Sequence, residues 1–188
     1  MSSQSKTLLT PEEYLEIERK AEFRSEYLAG EMFALAGASR QHNLIAGNIF
    51  AALHRQFVDR PCNVCQNDMR VKISKTGLHT YPDVVAVCGE ELFDDNHRDL
   101  LLNPVVLIEV LSDSTEAYDR GKKFEHYQQI ESLAEYLLVA QEPYRIERYV
   151  RQTAGQWLYS DAHRAEDTLK LETINCELSL RDVYAKVA

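Results

Sequence analysis

The sequence predicts an α/β fold in which a mixed β-sheet lies between helices. Two long stretches repeat apolar residues with the period of an amphipathic helix, and two short runs rich in valine and isoleucine are typical of strands covered on both faces. The 188 residues contain 45% hydrophobic and 27% charged side chains, the composition of a globular protein with a sizeable core. We therefore expect one domain over residues 1–188.

The first predicted elements are a helix and a hairpin. Thr10 is a good N-cap because a proline and two glutamates follow it in the first turn, and the helix should run to about Ala21. Residues 24–36 are typical of two short strands with Gly30 at the turn between them. These elements precede the first of the two long helices.

The later elements alternate between helices and strands. Ser39 caps an amphipathic helix that should end near Phe57. A single strand over 63–73 and a turn at Gly77 come next. In order, the remaining elements are two strands over 81–88 and 104–111, a helix over 115–130, three antiparallel strands over 135–141, 144–151 and 156–160, and a short helix within 178–187.

Two carboxylates lie inside the strand-like runs over 81–88 and 104–111. Asp83 is near the start of the first run and Glu109 near the end of the second. An ionised carboxylate inside a buried strand is costly unless a cation or several hydrogen-bond donors accompany it. If the two strands are antiparallel neighbours, both acids lie at the same edge of the sheet. Two acids there form a natural site for a hard divalent cation, Mg²⁺ or Mn²⁺.

The helix over 115–130 supplies a lysine that fits this site. Asp119, Lys123 and Tyr127 are spaced four residues apart and share one face of the helix. A lysine on a packing face needs a carboxylate partner, and Glu109 lies shortly upstream. The alternative is an ordinary ion pair between Asp119 and Lys123 on a solvated helix surface.

The charge and the cysteine content of the chain limit the kinds of function that it can have. The formal net charge of −9 counts against a protein that binds nucleic acid mainly by neutralising phosphates, although residues 39–81 contain six Lys or Arg and only two acids. Cys62 and Cys65 have the spacing of half a zinc site, but no second half follows. We expect reduced, mostly buried thiols.

The sequence predicts a cytoplasmic protein without a membrane segment. Residues 1–10 contain no apolar run, and no stretch approaches 18 consecutive apolar residues.

Several segments together resemble a known group of enzymes. The acids in Pro82-Asp83 and in Glu109-Val110-Leu111 are similar to the motif of the PD-(D/E)XK nuclease superfamily. More closely, the chain resembles the Uma-two family of restriction-endonuclease-like proteins within it, from the first helix to beyond Trp157. The segments that carry this resemblance are Tyr81-Pro82-Asp83-Val84-Val85, Ile108-Glu109-Val110-Leu111-Ser112, Asp119-Arg120-Gly121, Lys123-Phe124 and Glu135-Tyr136-Leu137-Leu138-Val139.

The resemblance implies a restriction-endonuclease-like core and a metal site. Asp83, Glu109 and the Val110 carbonyl would bind Mg²⁺ or Mn²⁺. The superfamily places its lysine two residues after the second acid, where this chain has Leu111. The resemblance implies that Lys123 on the helix takes over that role, with Lys122 as the other possibility.

Three further residues match positions of the family. Glu26 resembles an N-terminal acid that completes the metal shell, and its alternative is an exposed strand carboxylate. His42 and Asp119 would contact phosphate or hold the metal ligands in place. The alternative for His42 is a partly buried histidine in the capping turn of its helix.

The expected function is metal-dependent hydrolysis of phosphodiester bonds, with DNA as the substrate that the resemblance implies. By analogy with restriction enzymes we expect a homodimer, and the late strands offer aromatic residues for an interface: Tyr144, Tyr149, Trp157 and Tyr159. Two other functions stay open. One is a nuclease-fold binding or scaffold protein without turnover, and the other is a hydrolase of RNA or nucleotides.

Overall fold

The structure is a computed structural model that describes residues 8–187. Residues 1–7, within the stretch used above to predict a cytoplasmic location, lie outside the described part. The described helices are α1 (Pro11–Glu18), α2 (Arg40–Phe57), α3 (Glu116–Tyr118), α4 (Phe124–Tyr127) and α5 (Leu180–Val183). The strands are β1 (Ser25–Leu28), β2 (Glu31–Ala34), β3 (Cys62–Gln66), β4 (Arg70–Ile73), β5 (Leu78–Thr80), β6 (Val84–Cys88), β7 (Leu100–Leu101), β8 (Val106–Val110), β9 (Glu135–Ala140), β10 (Arg145–Arg151), β11 (Trp157–Ala162), β12 (Thr168–Leu171) and β13 (Cys176–Ser179).

The strands form two larger sheets and a hairpin, which confirms the predicted mixed α/β class. The main sheet has six strands in the order β11-β10-β9-β8-β6-β3, antiparallel except for the parallel pair β8 and β9. A second sheet has the order β2-β1-β5-β4-β7. Strands β12 and β13 form the separate hairpin.

The main sheet is covered on both faces, as its continuous apolar strands predict. On one face, even-numbered residues of β6 and β8 pack in a core with α2, α5 and the hairpin. On the other face, odd-numbered residues of the same strands pack against α4 and the second sheet. Glu109 is therefore on the side of α4.

Most predicted elements are confirmed. Thr10 caps α1 with a complete capping box, and Ser39 caps α2 by accepting a hydrogen bond from the backbone N–H of His42. The hairpin turns through Ala29 and Gly30, both at positive φ. The three late strands are antiparallel neighbours, as predicted.

The predicted single strand over 63–73 is wrong. The chain forms β3 in the main sheet and β4 in the second sheet, and Asn67 between them has a left-handed φ of 58°. Asparagine tolerates that conformation, and the break lets the chain change sheets. Short apolar runs do not reveal such a change.

The predicted continuous helix over 115–130 is also wrong in detail. Residues Asp119–Lys123 form a π-helical turn between α3 and α4. Gly121 lies in this turn, where its weak α-helical propensity favours a local departure. At the C-terminal end, the short helix expected within 178–187 is confirmed as α5, and the residues up to Ser179 belong to β13.

The prediction of reduced thiols is wrong for Cys62 and Cys88. These residues are direct cross-strand partners on β3 and β6, and they form a disulfide. Because Cys62 is bonded in this way, it is not half of a zinc site. The partner is 26 positions away in the chain, so the local spacing of cysteines gave no sign of it. Cys65 and Cys176 are free thiols.

Two of the aromatic residues expected at an interface are partly buried within the chain. Tyr149 and Trp157 pack against Phe124, whereas Tyr159 is 44% exposed. Among the described residues, no helix combines the length and the apolar character needed to cross a membrane.

Candidate active site

The two carboxylates that stand out in the sequence meet at one edge of the main sheet. Strands β6 and β8 are antiparallel, with Val84 opposite Ile108. Asp83 immediately precedes β6, so it lies beside the end of β8 that contains Glu109. The backbone N–H of Val110 donates a hydrogen bond to Asp83 Oδ2 at 2.7 Å. The predicted antiparallel arrangement of the two strands is confirmed.

Lys123 reaches this edge from the π-helical turn. Its Nζ lies 2.9 Å from Glu109 Oε1, 3.2 Å from Glu26 Oε1 and 3.5 Å from Asp119 Oδ1. All four side chains are buried. Glu26 is thus not an exposed strand carboxylate, and the pair of Asp119 and Lys123 is not on a solvated surface. The neighbouring Lys122 is exposed.

Two hydroxyl groups that the sequence reasoning did not assign to the site complete this cluster. The Tyr127 hydroxyl donates to Glu109 Oε1 at 2.6 Å, and the Thr80 hydroxyl donates to Glu26 Oε1. Tyr127 follows Lys123 by four residues, and that spacing was the signal that could have identified it. Thr80 gave no comparable signal, since its strand is far from Glu26 in the chain.

The buried cluster carries an excess of negative charge. Three carboxylates (Glu26, Glu109 and Asp119) surround one ammonium, a formal charge of −2. Burial raises the pKa of Glu109 to about 8, although Lys123 acts in the opposite direction. Burial also raises the pKa of Asp119. For Lys123, burial alone lowers the pKa, but the surrounding carboxylates outweigh it and the pKa lies well above its ordinary value. The Lys123 ammonium therefore stays charged among the three carboxylates.

His42 lies next to Asp83 in the site. Its Nε2 is 3.1 Å from Asp83 Oδ2, and its Nδ1 is buried without a hydrogen-bond partner in the described part of the chain. The N-cap residue Ser39 holds the start of α2, and with it His42, because its hydroxyl also donates a hydrogen bond to the Gln141 side chain at 2.8 Å. Gln141 in turn donates to the carbonyl of Leu111 at 2.7 Å. The start of α2 is thereby tied to the end of β8.

A cavity of about 560 Å³ opens over this cluster. The predicted site residues that line it are His42, Asp83, Glu109, Val110, Asp119 and Lys123. Glu26 holds Lys123 from behind and is absent from the described lining of the cavity. The structure thus brings the predicted site residues together, with Glu26 behind Lys123 and the others at the cavity.

The residues present fit a hard divalent cation. In the chain between residues 8 and 187, no three His, Cys, Asp or Glu side chains are arranged to hold a metal ion by themselves. Mg²⁺ needs fewer protein ligands, because it keeps several waters and is usually bound by one or two carboxylates. Asp83 and Glu109 supply two carboxylates, and the negative charge of the buried cluster would be offset by a divalent ion.

Comparisons with known proteins identify the fold and the family of the chain. Over 94% of its length the chain superposes, with a TM-score of 0.77 and 16% sequence identity, on 98% of a crystal structure from Anabaena variabilis described as a "putative nuclease belonging to DUF820". The chain therefore has the fold of that structure.

Two relatives from Synechocystis sp. are similar in sequence. The uncharacterized protein sll1609 is 38% identical over 82% of this chain and 87% of its own length. The uncharacterized protein slr1290 is 32% identical over 96% of this chain and 93% of its own length. Residues 11–182 match the family model described as "Uma2: Putative restriction endonuclease". The chain belongs to the Uma2 family, and its core is restriction-endonuclease-like.

Proposed function

We propose that this chain is a metal-dependent endonuclease that hydrolyses phosphodiester bonds in DNA. The observation that carries the proposal is the ammonium of Lys123, 2.9 Å from Glu109 in the cavity that Asp83 also lines. Two acids and a lysine converge there although the strand position two residues after Glu109 is occupied by a leucine. DNA is proposed as the substrate because the family description names restriction endonucleases.

Each residue has a separate task in this proposal. Asp83, Glu109 and the Val110 carbonyl would hold Mg²⁺ or Mn²⁺, which when bound polarises a phosphate and lowers the pKa of a bound water. Lys123 orients the attacking water and offsets negative charge that develops on the phosphate. Tyr127 fixes Glu109 by a hydrogen bond to its Oε1.

The proposal is tested by cleavage of plasmid DNA and of circular single-stranded DNA in Mg²⁺ or Mn²⁺ with the Asp83→Asn variant. This substitution keeps the size of the side chain but removes its charge, and we expect cleavage to fall by at least about 10²-fold. The matched control is Asp94→Asn, since Asp94 pairs with Lys72 away from the cavity and its loss should leave cleavage unchanged.

The same assay separates the enzyme from an inert binding protein of the same fold. A wild-type chain that binds DNA but cleaves neither DNA nor RNA with either metal would favour the scaffold function. Cleavage that survives in Asp83→Asn at the wild-type rate would show a contaminating nuclease or a different site.

We also propose a homodimer, because enzymes that cut both strands of DNA commonly pair two sites. The exposed residues Leu158 and Tyr159 on the edge strand β11 are the surface that supports this assembly. A two-chain particle would present two copies of the cavity to one nucleic acid.

A further inference from the structure

An apolar rim borders the candidate active site. Phe23 is 75% exposed and Leu35 is 37% exposed, and both line the cavity that contains Asp83 and Glu109. The backbone N–H of Leu35 donates to the carbonyl of Arg24 at 2.9 Å, so the two segments lie side by side. A large aromatic side chain left this exposed at the mouth of a polar cavity is available to a ligand.

The charges of the cavity do not favour a grip on phosphates. Its described lining contains more acids than bases, namely Glu22, Asp68, Asp83, Glu109 and Asp119 against Arg24 and Lys123. Both cations are already paired, Arg24 with Asp68 at 3.2 Å and Lys123 with the buried carboxylates. Proteins that bind nucleic acid gain a large share of their affinity by neutralising phosphates with Lys and Arg. The lining of this cavity offers little of that contribution.

A nucleic acid in this cavity therefore needs a second source of binding energy. Stacking of bases on aromatic side chains is such a source, and it is independent of sequence because every base has a flat face. The volume of about 560 Å³ is in the range of pockets that enclose small ligands, which suits one or two nucleotides with their bases turned outward.

We propose that Phe23 is a stacking platform for an unpaired nucleobase, and that the substrate is accordingly single-stranded or locally unpaired nucleic acid. This inference rests on the proposed function and specifies its substrate class. In a continuous duplex the bases are stacked on one another, so no base face is available to Phe23.

The test measures binding of labelled 12-nucleotide DNA by fluorescence anisotropy, with Ca²⁺ in place of Mg²⁺. The wild-type chain is expected to bind the single strand more tightly than the duplex of the same sequence. Phe23→Ala should weaken binding of the single strand by about tenfold, and Phe23→Trp should preserve it. Phe33→Ala is the matched control, because Phe33 is 49% exposed on the adjacent hairpin but does not line the cavity.

An abasic strand of equal length separates stacking from every other effect of the substitution. It should bind the wild-type chain about as weakly as the intact strand binds Phe23→Ala, and Phe23→Ala should cause little further loss on it. Equal losses from Phe23→Ala on intact and abasic strands, or equal effects of Phe23→Ala and Phe33→Ala, would overturn the inference.

The cleavage assay distinguishes this failure from failure of the proposed function. Metal-dependent cleavage that needs Asp83 but is insensitive to Phe23 on single strands would overturn the stacking platform alone. A wild-type chain that neither binds nor cleaves any of these nucleic acids would overturn both.

Discussion

Lys123 occupies the place that a strand lysine would otherwise take in this site. The position two residues after Glu109 is Leu111, which is buried in the same apolar cluster as Tyr127. Packing, not charge, is therefore the role of that strand position. The ammonium comes instead from the π-helical turn and reaches Glu109 from the side of the helix.

If Lys123 and not Lys122 is the active lysine, alanine variants of the two residues should behave differently. Lys123→Ala should reduce cleavage by about 10²- to 10³-fold while binding of Mn²⁺ is retained, because the lysine is not a metal ligand. Lys122→Ala should be close to neutral, since Lys122 is exposed. Cleavage rates and Mn²⁺ titrations followed by calorimetry measure the two effects.

Stability must be measured alongside, because Lys123→Ala leaves buried carboxylates without their cation. Removal of one partner of a buried ion pair costs up to about 3–5 kcal/mol, so the folded state of the variant is checked by circular dichroism. A loss of cleavage in Lys122→Ala with normal activity in Lys123→Ala would show that the wrong lysine was chosen.

For individual residues, the sequence predicted the charged side chains of the site better than its hydroxyl groups. Asp83 and Glu109 were visible because a carboxylate inside an apolar run is unusual. Tyr127 was marked only by its spacing from Lys123 and Thr80 not at all, because a tyrosine or threonine on a packing face is equally typical of a core. Their hydrogen bonds to the acids depend on chain segments that only the folded structure brings together.

The start of α2 is the element that connects the two sides of the site. Ser39 accepts from the backbone N–H of His42 and donates to Gln141, which donates to the carbonyl of Leu111. His42 is thereby held against Asp83, and the end of β8 is held against the helix. The N-cap residue Ser39 therefore helps to position the site, in addition to stabilising the start of its helix.

This link leads to a prediction in which two helix caps are compared. Ser39→Ala and Thr10→Ala should each lower the free energy of unfolding by about 1 kcal/mol, because each removes a capping side chain. Only Ser39→Ala should also slow cleavage, since only that cap touches the site. Urea denaturation and cleavage rates are the measurements, and equal cleavage rates in both variants would contradict the link.

The elements that sequence patterns predicted best are those with long amphipathic repeats or clear caps. Helix α2 and the three late strands begin and end close to the predicted residues. The change of sheet at Asn67 and the π-helical turn were not predictable, because both depend on one or two residues with unusual backbone geometry. A period of 3.6 residues cannot be distinguished from a wider turn over so short a stretch.

In the whole molecule the site is assembled from five separate parts of the chain. Glu26 comes from β1 in the second sheet, His42 from α2, the two acids from adjacent strands of the main sheet, and Lys123 from the helical segment after β8. Topology alone brings them together. The sequence predicted the class of fold, but it did not predict that a second sheet packs against the main one.

The proposed homodimer is tested by light scattering at micromolar concentration, where we expect the mass of two chains. Leu158→Glu should shift the protein to one chain, because it places a charge on the exposed edge strand β11. Leu92→Glu is the control, since Leu92 is also half exposed but lies outside that strand. A wild-type protein with the mass of one chain would contradict the dimer.

The central claim is that Asp83 and Glu109 hold a divalent cation beside Lys123. The most direct measurement is a crystal structure of the protein soaked with Mn²⁺, using the anomalous scattering of the metal to locate it. We expect a peak within about 2.0–2.3 Å of carboxylate oxygens of both acids, with the Lys123 ammonium nearby but not among the ligands. A saturating soak that places no Mn²⁺ between Asp83 and Glu109 would contradict it.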